Sequence, residues 1–489
     1  MSGGYTFLLL ICITYFLTTN ADEQLVHRQA IEIIIGGGGT PSSPPPEMPD
    51  CPPPSPPPCP PPPPPPCPPP PQPPKPRSHP PPSPPKPPSP PKPPSHPPRP
   101  SPKPPSPVPL DGFESELLRR VFPVIQAFRK KITDDPLHIT DTWQGKDICG
   151  KYKGFVCGIQ PNKKQKAVAG VKFNNFKFYG PNLTISEFLF GLKDIVFFHA
   201  NSNNFTGTLP ARIGELPFFY ELDLSNNKFT GAFPYHVLNA QKLQFLDLRF
   251  NTFEGVVPPQ IFLINLDLLF INNNKFVQML PENLGSTTAL YLTLANNKFV
   301  GNIPKSIGQA CNTLLEVLFL NNQLTGCLPY EIGLLKKSTV FDVGSNMLTG
   351  PIPHSFQCLK QMQLLNLAGN KFYGPVPEAV CCLPKLSNFT ISYNYFTQVG
   401  PQCRELIKKG VLDVKMNCIL DLPNQRTPAE CKKFFSSHHT CPDEKSLAYV
   451  PCAVGLESNE LKSSDTEWNN GPAPAQAPRA RSYGSLSPH

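Results

Sequence analysis

The sequence predicts an α/β solenoid of about 9–10 coils of ~24 residues, with one short strand per coil joined into a parallel β-sheet on the concave face. Disulfide-rich caps close the two ends, and a disordered, polyproline II rod precedes the first. Three observations predict this. An asparagine recurs at steps of 23 to 25 residues from Asn203 to Asn394. About two-thirds of the 70 prolines lie in one block, between Pro41 and Pro109. Of the 16 cysteines, 12 fall between Cys149 and Cys452, an even number that can close internally.

At the N-terminus, "YTFLLLICITYFL" is followed by small residues ending at Ala21. Residues 1–21 therefore read as a secretory signal peptide. No later run approaches the roughly 18 apolar residues of a membrane span, so the expected location is extracellular, with oxidised cysteines. Residues 22–40 contain four consecutive glycines and make a flexible linker.

Residues 41–109 are the rod. Proline fixes φ and removes the backbone donor, so motifs such as "SPPKPPSPPKPPSHPPRP" have no core to form. At ~3.1 Å per residue, Cys51, Cys59 and Cys67 stand about 25 Å apart, too far to bridge along a straight rod. They are candidates for intermolecular cross-links, with free or capped thiols as the alternative. Lys75, Arg77, Lys86, Lys92, Arg99 and Lys103 against Glu47 and Asp50 leave the rod positive. The whole chain carries +9. That suits acidic polymers, and without basic–aromatic clusters it argues against nucleic acid as a partner.

From 110 the composition is globular, and 110–167 read as an N-terminal cap. Its "DGFESELLRRVFPVIQAFRKKITDDP" shows helical spacing, with Asp111 and Glu114 expected at the N-cap. The repeats occupy 168–399. "LDLSNNKFTGAFP" (222–234) is echoed by "LDLRFNTFEGVVP" (246–258), "LTLANNKFVGNIP" (292–304) and "LNLAGNKFYGPVP" (365–377). The frame asparagines are Asn203, Asn227, Asn251, Asn274, Asn297, Asn322, Asn346, Asn370 and Asn394.

Each position has a physical reason. Paired leucines such as Leu222 and Leu224 point inward from a strand, because strand side chains alternate. The asparagine amide satisfies backbone groups in the buried bend. Phe229 and its equivalents fill the core, while Gly231, Gly255, Gly301 and Gly350 permit a tight turn. Gln278 stands where glycine is expected, which predicts a local irregularity. Residues 400–452 form a C-terminal cap, and 453–489 a disordered tail.

These coils make a leucine-rich-repeat solenoid, and the Gly-x-Ile-Pro turn resembles the plant extracellular class. "FRKKITDDPLHITDTW", followed by Cys149 and the "GFVC" ending at Cys157, is similar to that class's cap, which implies a Cys149–Cys157 disulfide. "GPQCRELIKKGVLDVKMNCILDLPNQRTPAECKKFF" (400–435) and "LLEVLFLNNQLTGCLPYEIGLL" (314–335) resemble the leucine-rich repeat extensins of plant cell walls. The resemblance implies a hydroxyproline-rich module fixed in the wall. It also implies a repeat domain that binds basic, cysteine-stabilised rapid alkalinization factor peptides and so couples wall state to growth. Two features depart from that pattern. The proline block precedes the repeats, and it has no tyrosine for cross-linking.

No nucleophile elbow, zinc-protease helix or phosphate loop is present, so no enzyme, cofactor or metal site is expected. His438 and His439 lack ligand spacing. The expected functional element is a peptide-binding concave face. Strand positions flanking the leucines give His199, Glu221, Asp223, Phe245, Asp247, Arg249, Phe250, Phe270, Tyr291, Glu316, Leu318, Asp342 and Asn366. Mixed aromatic and acidic side chains suit a small secreted basic peptide. Aspartate at the middle strand position also serves solubility and ladder bonding in such sheets.

Asn182, Asn204 and Asn388 begin N-glycosylation sequons. Cys358 and Cys382 each follow their frame asparagine by twelve residues, so stacking would bring them about one strand spacing apart (~4.8 Å). Cys381 is the rival partner.

The preferred reading is a secreted wall protein whose repeats capture a peptide signal and whose rod contacts wall polysaccharide such as pectin. Homo-oligomers through rod or cap cysteines are a further expectation. Two readings stand beside it, an inhibitor of a pectin-degrading enzyme and a purely structural wall glycoprotein.

Overall fold

A computed structural model describes residues 111–453 of the chain. The expected signal peptide, linker, rod, tail and the rod cysteines Cys51, Cys59 and Cys67 lie outside these residues.

The fold begins with helix α1 (Glu116–Arg129). Its N-cap is Ser115, not Asp111 or Glu114: the Ser115 side chain accepts from the Leu118 amide at 3.1 Å. A short hydroxyl on an extended residue reaches that amide directly. Asp111 and Glu114 instead pair with Lys146 at 3.0 Å and Lys166 at 2.8 Å. The helix buries Leu117, Leu118, Val121, Ile125 and Phe128. Phe128 stacks on Phe188 with centroids 4.0 Å apart, and fully buried Trp143 donates its indole N–H to the Lys153 carbonyl at 2.9 Å. An antiparallel hairpin, Phe155–Gln160 and Gln165–Lys172, closes this end of the sheet. The expected Cys149–Cys157 disulfide joins the hairpin to the preceding short helix, with Cα atoms 5.7 Å apart.

Parallel strands then follow in chain order, giving a 12-stranded sheet in which each coil adds one strand beside the last. Most contain three residues, such as Glu221–Asp223 and Phe245–Asp247. Behind the sheet, Leu222, Leu224 and their equivalents form one continuous core. Phe229, Phe253 and Phe276 stack through it at 6.2 and 6.4 Å, nearly parallel. The opposite side carries short 3-10 turns such as Tyr330–Leu334.

The frame asparagines bind the coils together. Asn346 shows the pattern. Its Nδ2 donates to the carbonyls of Phe319, one coil back, and of Val343 and Gly344, while its Oδ1 accepts from the Leu324 amide at 3.0 Å. One side chain thereby satisfies four backbone groups in a bend that has no strand partner for them. The series continues to Asn417, which makes the same contacts to Ile391, Val414 and Phe396. Leu412-x-Val414-x-x-Asn417 carries the same spacing within the segment read as cap.

Gln278 resolves its irregularity with its own amide. The side chain makes a two-point clasp where the other coils have glycine: the Val257 N–H donates to Gln278 Oε1 at 2.7 Å, and Gln278 Nε2 donates to the Val257 carbonyl at 2.9 Å. The lateral ladder of short strands divides here, with a four-stranded set ending at Lys275–Phe276 and a five-stranded set starting at Val300–Gly301. Gly350 shows why glycine holds the turn elsewhere. Its φ is +86°, and a Cβ would stand 2.5 Å from Cys441 Sγ.

The C-terminal region contains helices Pro401–Lys408 and Pro428–Phe435, the second closed by a capping box between Thr427 and Glu430. Four disulfides tie it down: Cys327–Cys441, Cys358–Cys452, Cys381–Cys403 and Cys418–Cys431. The expected Cys358–Cys382 pair is therefore corrected. The coil carrying Cys358 ends in a 3-10 turn, whereas the next is a one-turn α-helix, Glu378–Cys381. That turn buries Cys381 toward Cys403, and the returning chain brings Cys452 to Cys358.

Candidate functional site: the concave sheet

Strand registration converts the expected site residues into rows. One row runs Glu221, Phe245, Leu268, Tyr291, Glu316, Val340, Leu364 and Asn388. The second runs His199, Asp223, Asp247, Phe270, Thr293, Leu318, Asp342, Asn366 and Thr390. Arg249 follows Asp247 on the same face, and Phe250 precedes the frame residue Asn251 in the left-handed conformation, with φ +53°. Sequence reasoning passed over Leu268, Thr293, Val340, Leu364 and Thr390 on these rows. They occupy the same frame offsets as Phe245 and Asp247, and that offset was the available signal.

The centre of the face is aromatic. Phe270 and Tyr291 are buried with Leu268 and Leu290, and Phe245 packs against them. Acidic groups flank this centre, and the structure gives each a defined partner. His199 Nε2 meets Glu221 Oε2 at 2.7 Å, and Asn201 donates to Asp223 Oδ2 at 2.8 Å. Asp223 also accepts from the Ser225 amide and hydroxyl. Asp342 accepts from the Gly344 amide at 2.8 Å and from Asn366 Nδ2 at 3.1 Å. The middle aspartates thus each close a turn onto the backbone two residues on.

Asp247 and Arg249 form the central ion pair at 3.0 Å, and the guanidinium lies 5.1 Å from the Phe270 ring centroid. Burial pushes the Asp247 carboxyl up to about 8, with Arg249 opposing the shift and Asp223 adding to it. A buried carboxylate costs more than one cationic neighbour returns.

The sequon residues take different surroundings. Asn182 is exposed, Asn204 is half-buried beside Asn203, and Asn388 lies on the concave row with its Oδ1 accepting from Thr390 at 3.1 Å. Among the described residues no helix is long and apolar enough to cross a membrane.

No family model matches the chain. Leucine-rich repeat extensin-like protein 6 of Arabidopsis thaliana is 47% identical over 326 residues, covering 66% of this chain and 68% of that protein. Protein 7 of the same series is 45% identical over 341 residues, covering 70% of this chain and 77% of that protein. Protein 2 is 41% identical over 227 residues, and there the chain spans only 25% of the relative's length. Among solved structures, the ectodomain of the plant receptor kinase GASSHO1/SCHENGEN3 from Arabidopsis thaliana, in complex with Casparian strip integrity factor 2, has a TM-score of 0.53. It is 21% identical and covers 63% of this chain and 41% of that one, a likeness of fold. The repeat frame, the asparagine ladder and this span of identity together establish that the chain belongs to the leucine-rich repeat extensin-like family.

Proposed function

We propose that the concave sheet captures a small secreted basic peptide of the rapid alkalinization factor type, while segment 41–109 associates with wall polymers such as pectin. One extracellular chain would then link wall state to growth, with no catalytic step. The observation that carries this reading is the arrangement of the face: Phe245, Phe270 and Tyr291 at the centre, with Glu221 and Asp223 on one side and Glu316 and Asp342 on the other. Apolar anchors bordered by carboxylates select a partner that is both basic and aromatic or aliphatic at intervals.

The test is calorimetric titration of the secreted full chain with a cysteine-stabilised basic peptide. Phe270→Ala and Glu316→Gln are each expected to weaken binding about 10-fold. Equal affinity in both variants would remove the concave face from consideration.

A further inference from the structure

Each buried frame asparagine is flanked by two residues at the outer rim of the coil, and these rim positions form two rows that the concave site does not use. The preceding position is left-handed in coil after coil: Ser202, Asn226, Phe250, Asn273, Asn296, Asn321, Ser345, Gly369 and Tyr393 have φ between +52° and +64°. Asparagine, serine and glycine accept that conformation readily. A phenylalanine or tyrosine there is strained. Tyr393 is 57% exposed.

Between these aromatic residues the amides link side to side. Asn321 Nδ2 donates to Asn296 Oδ1 at 2.8 Å, and Asn296 Nδ2 donates to Asn273 Oδ1 at 3.1 Å. The result is a line of three oriented amides in consecutive coils, Asn273, Asn296 and Asn321, spaced ~4.8 Å as parallel strands are, with Ser345 and Gly369 continuing the row toward Tyr393. The following position carries Lys228, Lys275, Lys298 and Lys371, all exposed. None of these four is ion-paired with a carboxylate among the described residues, whereas Lys146, Lys166, Lys305, Lys408 and Lys415 are. Glu254, the strand partner of Lys275, is the acidic residue beside the row.

We infer that this rim binds an anionic linear polysaccharide, a polyuronate lying along the stacked coils. Periodic amides supply hydrogen bonds to hydroxyls that recur once per sugar. The lysines meet the carboxylates, and Phe250 and Tyr393 offer ring faces to pyranose rings at the two ends. The rim is an open edge, which suits a polymer that enters from the side. This deepens the wall-polymer part of the proposed function by placing a site on the solenoid, and it is independent of peptide capture on the concave face.

The test uses the full chain with its rod made neutral, Lys75, Arg77, Lys86, Lys92, Arg99 and Lys103 each replaced by Gln, so that rod charge does not mask the rim. Binding to immobilised polygalacturonate is expected to persist in that background. It should weaken about 5-fold or more in Lys275→Gln/Lys298→Gln, tighten in Glu254→Gln, and fall with added salt. Unchanged melting temperatures would show that the fold is kept. Three results overturn the inference: no binding by the neutral-rod chain, no effect of the lysine pair, or equal binding of the fully methyl-esterified polymer. Peptide affinity, read in the same variants, is expected to stay constant, so failure here is separable from failure of the concave site.

Discussion

Cys358 is bonded to Cys452, 94 residues later, with Cα atoms 5.6 Å apart, and the Cys452 amide points at Cys358 Sγ from 3.2 Å. Cys327 takes Cys441 in the same manner across 114 residues. The chain therefore returns along the flank of its own coils after the last of them is built. Tyr373 supports the return by donating its hydroxyl to the His439 carbonyl at 2.8 Å, while Tyr395 stacks on Phe434 with centroids 3.6 Å apart.

Loss of this strap should be costly. Cys452→Ser is expected to lower stability by about 2–4 kcal/mol, the range for opening a long disulfide loop. Urea unfolding measures it, and peptide mapping without reduction should recover a Cys358–Cys452 fragment. Recovery of Cys358 linked to Cys382 would refute the assignment.

Gln278 replaces a glycine turn with a side-chain clasp on Val257. Gln278→Ala leaves both Val257 backbone groups unpaired and should cost about 1–3 kcal/mol. Gln323→Ala, an exposed glutamine two coils on, is the control and should change stability by less than about 0.5 kcal/mol.

Frame and rim asparagines differ in what they hold. Asn346 serves four backbone groups, so Asn346→Ala is expected to cost more than about 3 kcal/mol. The exposed Asn321 side chain bonds only along the rim in the described contacts, and Asn321→Gly, which keeps the left-handed backbone at φ +52°, should cost under about 1 kcal/mol. Thermal melts of the two variants side by side give the comparison.

Asp247 predicts a pH dependence. Its folded-state carboxyl is raised from 3.8 to about 8, chiefly by burial. Stability from this group is fully present below its unfolded value and is lost as pH rises toward the folded one. The wild-type chain should therefore lose ground to Asp247→Asn between about pH 4 and pH 8 and hold a constant difference above that. Parallel melts at intervals across the window test it. A difference that shrinks with rising pH would contradict the burial argument.

Much of this molecule was legible from local spacing. The asparagine period, the inward leucines and the core phenylalanines sit in the coils at the offsets their chemistry requires, because each coil repeats the same short-range problem. The Cys149–Cys157 bond was implied by the resemblance of its cap to the plant extracellular class, and it closes only eight residues. Eleven of the thirteen expected concave residues fall on the two registered rows, and the six other members, Leu268, Thr293, Val340, Leu364, Asn388 and Thr390, follow from register alone.

The partners of those residues were not legible. That Asp223, Asp247 and Asp342 turn onto their own backbone, that Arg249 lies beside Phe270, and that Ser115 caps the first helix depend on side-chain positions within the assembled sheet. Cys358 and Cys382 share a frame offset, yet a 3-10 turn in one coil and an α-turn in the next send them to different places. By itself, then, the sequence determined the period and the direction in which each coil faces, since both are set within some 24 residues by strand alternation and bend chemistry. Tertiary structure alone decided which distant groups meet, because a chain that folds back over 94 residues is guided by packed surfaces, and no local spacing encodes them.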